Sequence, residues 1–232
     1  MAKIQHASTR ASVAAITAIK SLSYRTPLSR VVFPTYDFMF KPAQLCFMIQ
    51  CLTATTDLPG PIIEIGCAAG STTVFVNRHL DELQDRRRYV CIDTFDGFTD
   101  EDIAVETERG KDEHTLVAPF KTYRKAWFDR TMQNNGINRV TSIQADVNTF
   151  DFSPYEAISF CLVDVDLARP VAKALREVFP RMAPGGIIVV DDCRADNIFD
   201  GALEAYTDFC AEIGVEPSVE HGKLGVIRIP TS

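Results

Sequence analysis

In Pro61-Ile62-Ile63-Glu64-Ile65-Gly66-Cys67-Ala68-Ala69-Gly70-Ser71-Thr72, a short β-branched run ends in a glycine turn and passes into a helix-forming segment. The run predicts a first strand. Ser71 to Leu83, with Val76, Leu80 and Leu83 on one side, predicts the helix after it. Gly66 and Gly70 let the backbone turn tightly and leave room for a ligand where a Cβ would otherwise stand. The first helical N–H groups, at Ser71 and Thr72, are suited to an anionic or carboxylate group. Glu64, just before the turn, could accept a hydrogen bond from a ligand ammonium or from the loop itself.

Downstream, short apolar runs alternate with longer helical segments. Arg88–Ile92, Val140–Gln144, Ala157–Val163, Ile187–Val190 and Leu224–Ile229 read as strands. Phe120–Asn135, Pro170 to about Phe179, and Gly201–Ile213 read as helices, while Ala183-Pro184-Gly185-Gly186 reads as a stop and turn. Ala157–Val163 is apolar on both faces, as a covered parallel strand requires. The pattern predicts an α/β, Rossmann-like open sheet, mostly parallel, with helices on both faces and an N-terminal helical arm. Residues 1–55 are expected to form the arm and a cap, and 56–232 the ligand-binding domain.

Composition narrows the functional classes. The chain has 232 residues, 46% hydrophobic and 24% charged, with a net charge of -7, enough for one sizeable core. That charge, with a pI near 5.1, argues against a nucleic-acid surface, and no apolar run is long enough for a bilayer span. Seven scattered cysteines without a Cys-x-x-Cys pair argue for reduced thiols and a cytoplasmic location. Before Asp37 there is no acidic residue, and Lys3, Arg10, Lys20, Arg25 and Arg30 are basic. This segment reads as a helical arm, Ser8 to Ser21, packed on the domain or on a second copy of the chain. Its basic, Ala- and Ser-rich composition is also that of a targeting peptide.

Ligands of open α/β sheets bind beyond the carboxyl ends of the strands. Aspartate recurs there: Asp93, Asp146, Asp164, Asp166, Asp191 and Asp192. The dinucleotide fingerprint fails, because Ala68 and Ser71 stand where its second and third glycines belong. The Glu64-x-Gly66-x-x-x-Gly70 spacing instead resembles motif I of class I S-adenosylmethionine-dependent methyltransferases. An acid at Asp93 suits ribose hydroxyls, and Asp146 is similar to the methyltransferase residue near the adenine amino group.

If the strands before Asp164 and Asp191 are neighbours, up to four carboxylates approach one another. Such crowding calls for a protonated member or a cation, and all-oxygen donors suit Mg²⁺ or Ca²⁺. Alternatively, Asp191 or Asp192 caps a helix beginning near Ala195 or Asp196. Tyr89-Val90-Cys91-Ile92-Asp93-Thr94-Phe95-Asp96-Gly97-Phe98, Leu162-Val163-Asp164-Val165-Asp166-Leu167 and Pro184–Asp192 resemble the macrocin O-methyltransferase family, over about Pro61 to Cys193. The resemblance implies S-adenosylmethionine as cofactor, Mg²⁺, and methylation of a sugar hydroxyl on a small-molecule natural product. It also implies Asp164, Asp191 and Asp192 as metal ligands, with Asp166 in support. Ala168-Arg169-Pro170-Val171 departs from the family pattern beside that site.

Transfer from a sulfonium is an in-line displacement, so alignment of donor and acceptor is the main task. A metal held by two adjacent substrate oxygens would lower the acceptor's pKa, which predicts vicinal oxygens in the acceptor. His114, after the acidic segment Asp100–Glu113 that has the makings of a lid, is the candidate general base, or else a solvated loop residue. Tyr123, Trp127 and Phe128 line the acceptor pocket or pack in the core. The competing readings are a metal-independent methyltransferase, a nucleotide-binding oxidoreductase, and a catalytically silent binding protein.

Overall fold

The structure, a computed structural model, describes residues 2–27, 29–33, 36, 38–117, 121–195 and 198–231. The chain falls into two compact units, residues 1–39 and 40–232. The first contains helices α1 (Ala2–Ser23) and α2 (Ser29–Val32). The segment expected as a helical arm, Ser8 to Ser21, lies within α1.

The second unit begins with α3 (Pro42–Ala54), followed by β1 (Ile62–Ile65), α4 (Ser71–Glu82) and β2 (Tyr89–Asp93). Helices α5 (Asp100–Glu108), α6 (Glu113–Val117) and α7 (Lys125–Asn134) precede β3 (Val140–Gln144) and β4 (Ile158–Val163). Then come α8 (Ala168–Val178), β5 (Met182–Val190), α9 (Gly201–Glu212), β6 (Val219–Glu220) and β7 (Leu224–Arg228). Among the described residues the sheet has seven strands in the order β3-β2-β1-β4-β5-β7-β6. It is parallel from β3 to β5, while β7 runs antiparallel to both β5 and β6. The expected open, mostly parallel α/β sheet is therefore present. Its topological switch point lies between β1 and β4, where such sheets open a ligand crevice.

Period-two alternation divides the core. Ile63 and Ile65 of β1 join Val90, Ile92, Cys161, Val163, Ile188 and Val190 against α8 and α9. Glu64 faces the other way, beneath α4, where it meets Thr73. Burial of the central strands is complete: every residue of β1 and β4 is buried.

Three local expectations are corrected. The acidic segment Asp100–Glu113 is not a loop but α5 and the start of α6. Thr99 caps α5 by accepting from the Asp102 N–H at 3.2 Å, and three acids in the first turn complement the helix dipole. Pro184-Gly185-Gly186 does not stop the chain, because β5 runs through it, with its irregular register against β4 between Ile158 and Phe160. The helix expected from Phe120 begins at Lys125; Phe120 itself is outside the described residues. Among the described residues, no helix is long and apolar enough to cross a membrane.

Candidate active site

The turn after β1 is shaped by left-handed backbone at Gly66 (φ 84°), Ala68 (φ 45°) and Gly70 (φ 88°). A Cβ on Gly66 would lie 1.8 Å from the Asp164 carbonyl oxygen, so only glycine lets β1 end against β4. Gly70 begins α4 with no side chain to cap it. The leading amides, at Ser71 and Thr72, are thus available to a ligand. Asp93 holds the turn from the next strand. Its Oδ2 accepts from the Cys67 and Ala68 N–H groups at 2.7 and 2.9 Å, and its Oδ1 from the Phe95 N–H at 2.6 Å.

Glu64 is 1% exposed and supports the site from beneath. Thr73 Oγ1 and Tyr89 OH donate to its Oε2 at 2.7 and 2.8 Å, and the Cys91 thiol at 3.5 Å. Burial pushes its pKa up to about 7, against the pull of those hydrogen bonds. Its carboxyl therefore ties β1 and β2 to α4. Its hydrogen-bond partners lie on α4 and β2 rather than in the glycine loop.

On the β3 side, Asp146 Oδ1 accepts from Asn148 N and Nδ2, both at 2.9 Å. Asn148 Nδ2 also donates to both oxygens of Asp102 on α5, at 3.2 and 3.1 Å. Burial raises the Asp102 pKa, opposed by Thr99 and Arg169. Arg169, at the departure from the family pattern, reaches Asp102 at 3.2 Å and Glu101 at 2.9 Å. Glu106 Oε1 accepts from the Ala168 N–H at 3.0 Å, and Lys111 meets Asp200 at 2.5 Å. Ile103, Leu116 and Leu167 form a small core with Phe98 and Phe199. Helices α5 and α6, the segment expected to have the makings of a lid, are thereby tied to Asn148 after β3 and to the start of α8.

The carboxyl ends of β4 and β5 gather the remaining aspartates. Burial, then the charges of Asp191 and Asp166, drive Asp164 well above the ordinary carboxylate range. Burial and a side-chain hydrogen bond with Asp192 do the same to Asp166. Asp166 and Asp192 both sit at left-handed φ (60° and 55°). Burial lifts Asp191 to about 6, with Lys223 pulling the other way.

Lys223 is the residue that sequence reasoning missed. Its ammonium donates to Asp191 Oδ2 at 2.6 Å and lies 3.5 Å from Asp192 Oδ1. It also sits 4.5 Å from the centroid of the Phe40 ring. Burial would lower its pKa, but Asp191 and Asp192 carry it above the ordinary lysine value.

The expected magnesium ligands, Asp164, Asp191 and Asp192, have the right chemistry, since all their donors are hard oxygens. Their arrangement does not fit. Among the described residues no three His, Cys, Asp or Glu side chains are grouped to hold a metal ion. A dication beside the Lys223 ammonium would also meet strong repulsion: two unit charges 4 Å apart repel by about 4 kcal/mol at an effective dielectric of 20. Asp191 Oδ1 is buried without a hydrogen-bond partner among the described residues. The alternative, a helix capped by Asp191 or Asp192, finds no support in the described segment: α9 starts only at Gly201, and Asp196 lies outside the described residues.

The turn (Gly66, Gly70, Ser71, Thr72) and Asp93 are thus held together, and Asp164, Asp166, Asp191 and Asp192 form a second group. His114 is exposed on α6. Phe128 is buried and packs against Phe95 at 5.4 Å, whereas Trp127 is 62% exposed. A lysine two residues beyond His221, just before a strand, carries no local signal; only the pairing of β5 with β7 brings it to the aspartates.

The comparisons agree with this architecture. The O-methyltransferase NovP shares the fold with a TM-score of 0.73 at 17% identity, over 84% of this chain and 83% of that one. The calicheamicin methyltransferase CalS11 does so with a TM-score of 0.62 at 18% identity, over 93% and 91%. In sequence, the chain is 25% identical over 176 residues to the 8-demethyl-8-(2,3-dimethoxy-alpha-L-rhamnosyl)-tetracenomycin-C 4'-O-methyltransferase of Streptomyces olivaceus. It is 25% identical over 142 residues to the mycinamicin III 3''-O-methyltransferase of Micromonospora griseorubida. These matches cover 73% and 58% of this chain, but only 65% and 56% of the relatives' own lengths. The sequence profile described as Macrocin-O-methyltransferase (TylF) matches residues 43–222, well over half of the 232, and the chain belongs to that family.

Proposed function

We propose that the chain is an S-adenosylmethionine-dependent O-methyltransferase whose acceptor is a sugar hydroxyl on a small-molecule natural product. The observation that carries this reading is the glycine turn locked by Asp93 at the switch point of the sheet, in a chain of this family. When bound, the cofactor supplies an electrophilic methyl group. The N-terminal amides of α4, at Ser71 and Thr72, would receive its carboxylate, with Gly66 and Gly70 giving the room. Asp93 and Asp146 would meet the nucleoside. Asp164, Asp191 and Asp192 would face the acceptor, and the lid would exclude water.

The magnesium implied by the family would have to displace Lys223 from Asp191. The Lys223–Asp191 pair therefore favours a second reading, methyl transfer without a metal. In it the Asp191 carboxylate, with a pKa near 6, takes the acceptor proton. The seven free cysteines, all but Cys46 buried, support a reducing cytoplasm. Exposed Val13, Ile16, Ile19 and Leu22 on α1 support self-association through the arm. Thermal shift with S-adenosylhomocysteine tests the function, since a ligand of the native state must stabilise it. A rise in Tm is expected, followed by methyl transfer to rhamnosylated aglycones in a labelled-cofactor assay. No shift at millimolar ligand would sink the reading.

A further inference from the structure

We propose that the Lys223 ammonium is the resident cation of the aspartate cluster, a positioning residue that holds Asp191 and Asp192 and keeps divalent metal out. The inference rests on the methyltransferase reading for its catalytic meaning, but its physical content stands alone. Four carboxylates, Asp164, Asp166, Asp191 and Asp192, converge at the ends of β4 and β5 and need positive charge. Lys223 supplies it from just before β7, the antiparallel neighbour of β5, and it does so from a built position.

Left-handed backbone at His221 (φ 49°) and Gly222 (φ 80°) turns the chain back from β6 into β7. The Cys193 N–H then donates to the Lys223 carbonyl at 2.8 Å, which fixes this residue alongside Asp191 and Asp192. The residue is 7% exposed. Asp191 Oδ2 takes the ammonium at 2.6 Å, Asp192 Oδ1 lies at 3.5 Å, and Phe40 closes a further side at 4.5 Å. A lysine so enclosed is not a solvated side chain that a metal could push aside by rotation. Magnesium holds its oxygens at about 2.0–2.1 Å in a strict octahedron, and the oxygen it would need first already carries the ammonium.

The consequence is a latent metal site. Removing the ammonium leaves Asp191 and Asp192 with both charge and space, and Asp191 Oδ1 is already without a partner among the described residues.

Mn²⁺, which shares the octahedral oxygen preference of Mg²⁺, reports this by electron paramagnetic resonance titration of the full chain. The wild type should show no Mn²⁺ site that Asp191→Asn removes, and its methyl transfer should survive EDTA. Lys223→Met should gain one site, at least roughly tenfold tighter than any in the wild type, and Lys223→Met/Asp191→Asn should lose it. Mn²⁺ should raise the Tm of Lys223→Met but not of the wild type. Lys223→Arg, which keeps the charge, should stay blind to Mn²⁺; it decides the matter with the wild type if Lys223→Met does not fold. A wild-type Mn²⁺ site abolished by Asp191→Asn would overturn the proposal. So would a folded Lys223→Met that gains none, or EDTA-sensitive transfer restored by Mg²⁺. Failure of the wild type to bind S-adenosylhomocysteine would instead strike the functional reading and leave the Mn²⁺ result to stand.

Discussion

The carboxyl ends of β1 and β4 lie side by side, joined where the Asp164 N–H donates to the Ile65 carbonyl at 2.7 Å, yet their carboxylates are held in opposite ways. At the β1 turn, one carboxylate, Asp93, is satisfied by three backbone amides. At the β4 and β5 ends, four carboxylates are gathered, and one lysine pairs with two of them, Asp191 and Asp192. The first arrangement is rigid because backbone amides cannot be rearranged without unfolding the turn. The second depends on a single side chain from another strand. A cofactor common to a whole class suits the first, and a chain-specific acceptor suits the second.

Gly66 is the seam between the two regions, and it offers the severest break. Gly66→Ala would drive a Cβ to 1.8 Å from the Asp164 oxygen at φ 84°. It should cost on the order of 4 kcal/mol or more. Gly110→Ala, also left-handed (φ 91°) but facing open space, should cost only about 1 kcal/mol. Denaturant midpoints compare them; equal losses would mean that backbone conformation, not the seam, sets the requirement.

Glu64 tests the turn's foundation through pH. Its folded pKa of about 7 lies above the ordinary 4.5, so the native state keeps the proton between those values while the unfolded chain releases it. Its contribution is full below about pH 4.5 and is lost as pH rises to about 7, a swing of about 3 kcal/mol. Glu64→Gln should remove that part of the slope when stability is measured at pH 5 and pH 8. The same slope in both proteins would assign the titration elsewhere, to the aspartate cluster.

What could be read from sequence follows the same division. The strand order around the turn was legible because Pro61–Thr72 encodes strand, turn and helix locally, and the apolar runs at Ala157–Val163 and Ile187–Val190 had one sensible use. The lid was half legible. Its acidic composition suggested solvent, but Thr99 and the acids at Asp100, Glu101 and Asp102 also form a helix start, and Asp102 and Glu106 are buried by distant partners, Asn148, Arg169 and the Ala168 amide. Pro184-Gly185-Gly186 misled because turn residues also suit a strand that bends; a Cβ on Gly186 would lie 2.9 Å from the Ala183 oxygen. Asp164, Asp191 and Asp192 were found, but their cation was not. Charge crowding can be inferred along the chain, whereas its remedy came through an antiparallel pairing 31 and 32 residues away.

Asp93→Asn probes the backbone-held side more gently. The amide can keep one acceptor but turns an N–H donor toward amides that also donate, and the charge assistance disappears. A loss of about 2 kcal/mol is expected, with S-adenosylhomocysteine binding weakened by roughly tenfold or more. Calorimetry on the folded variant reads both. Unchanged affinity with lowered stability would confine Asp93 to holding the turn and remove it from the nucleoside.

The smallest effect belongs to the side-chain-held region at its rim. Arg169 is partly exposed, so its pairs with Glu101 and Asp102 contribute at most about 1 kcal/mol to global stability. Asp102, however, is buried, and it faces Asp146 as well as Arg169. Arg169→Ala should therefore loosen α5 locally, with amide exchange across 100–108 accelerated about fivefold and that of α4 unchanged. Lid loosening without a change in α4 would show that the two regions are energetically separable although they share the Gly66–Asp164 contact. If α4 exchange rises in step, the lid and the cofactor turn open as one unit, and the departure at Arg169 acts on the whole cleft rather than on the acceptor side alone.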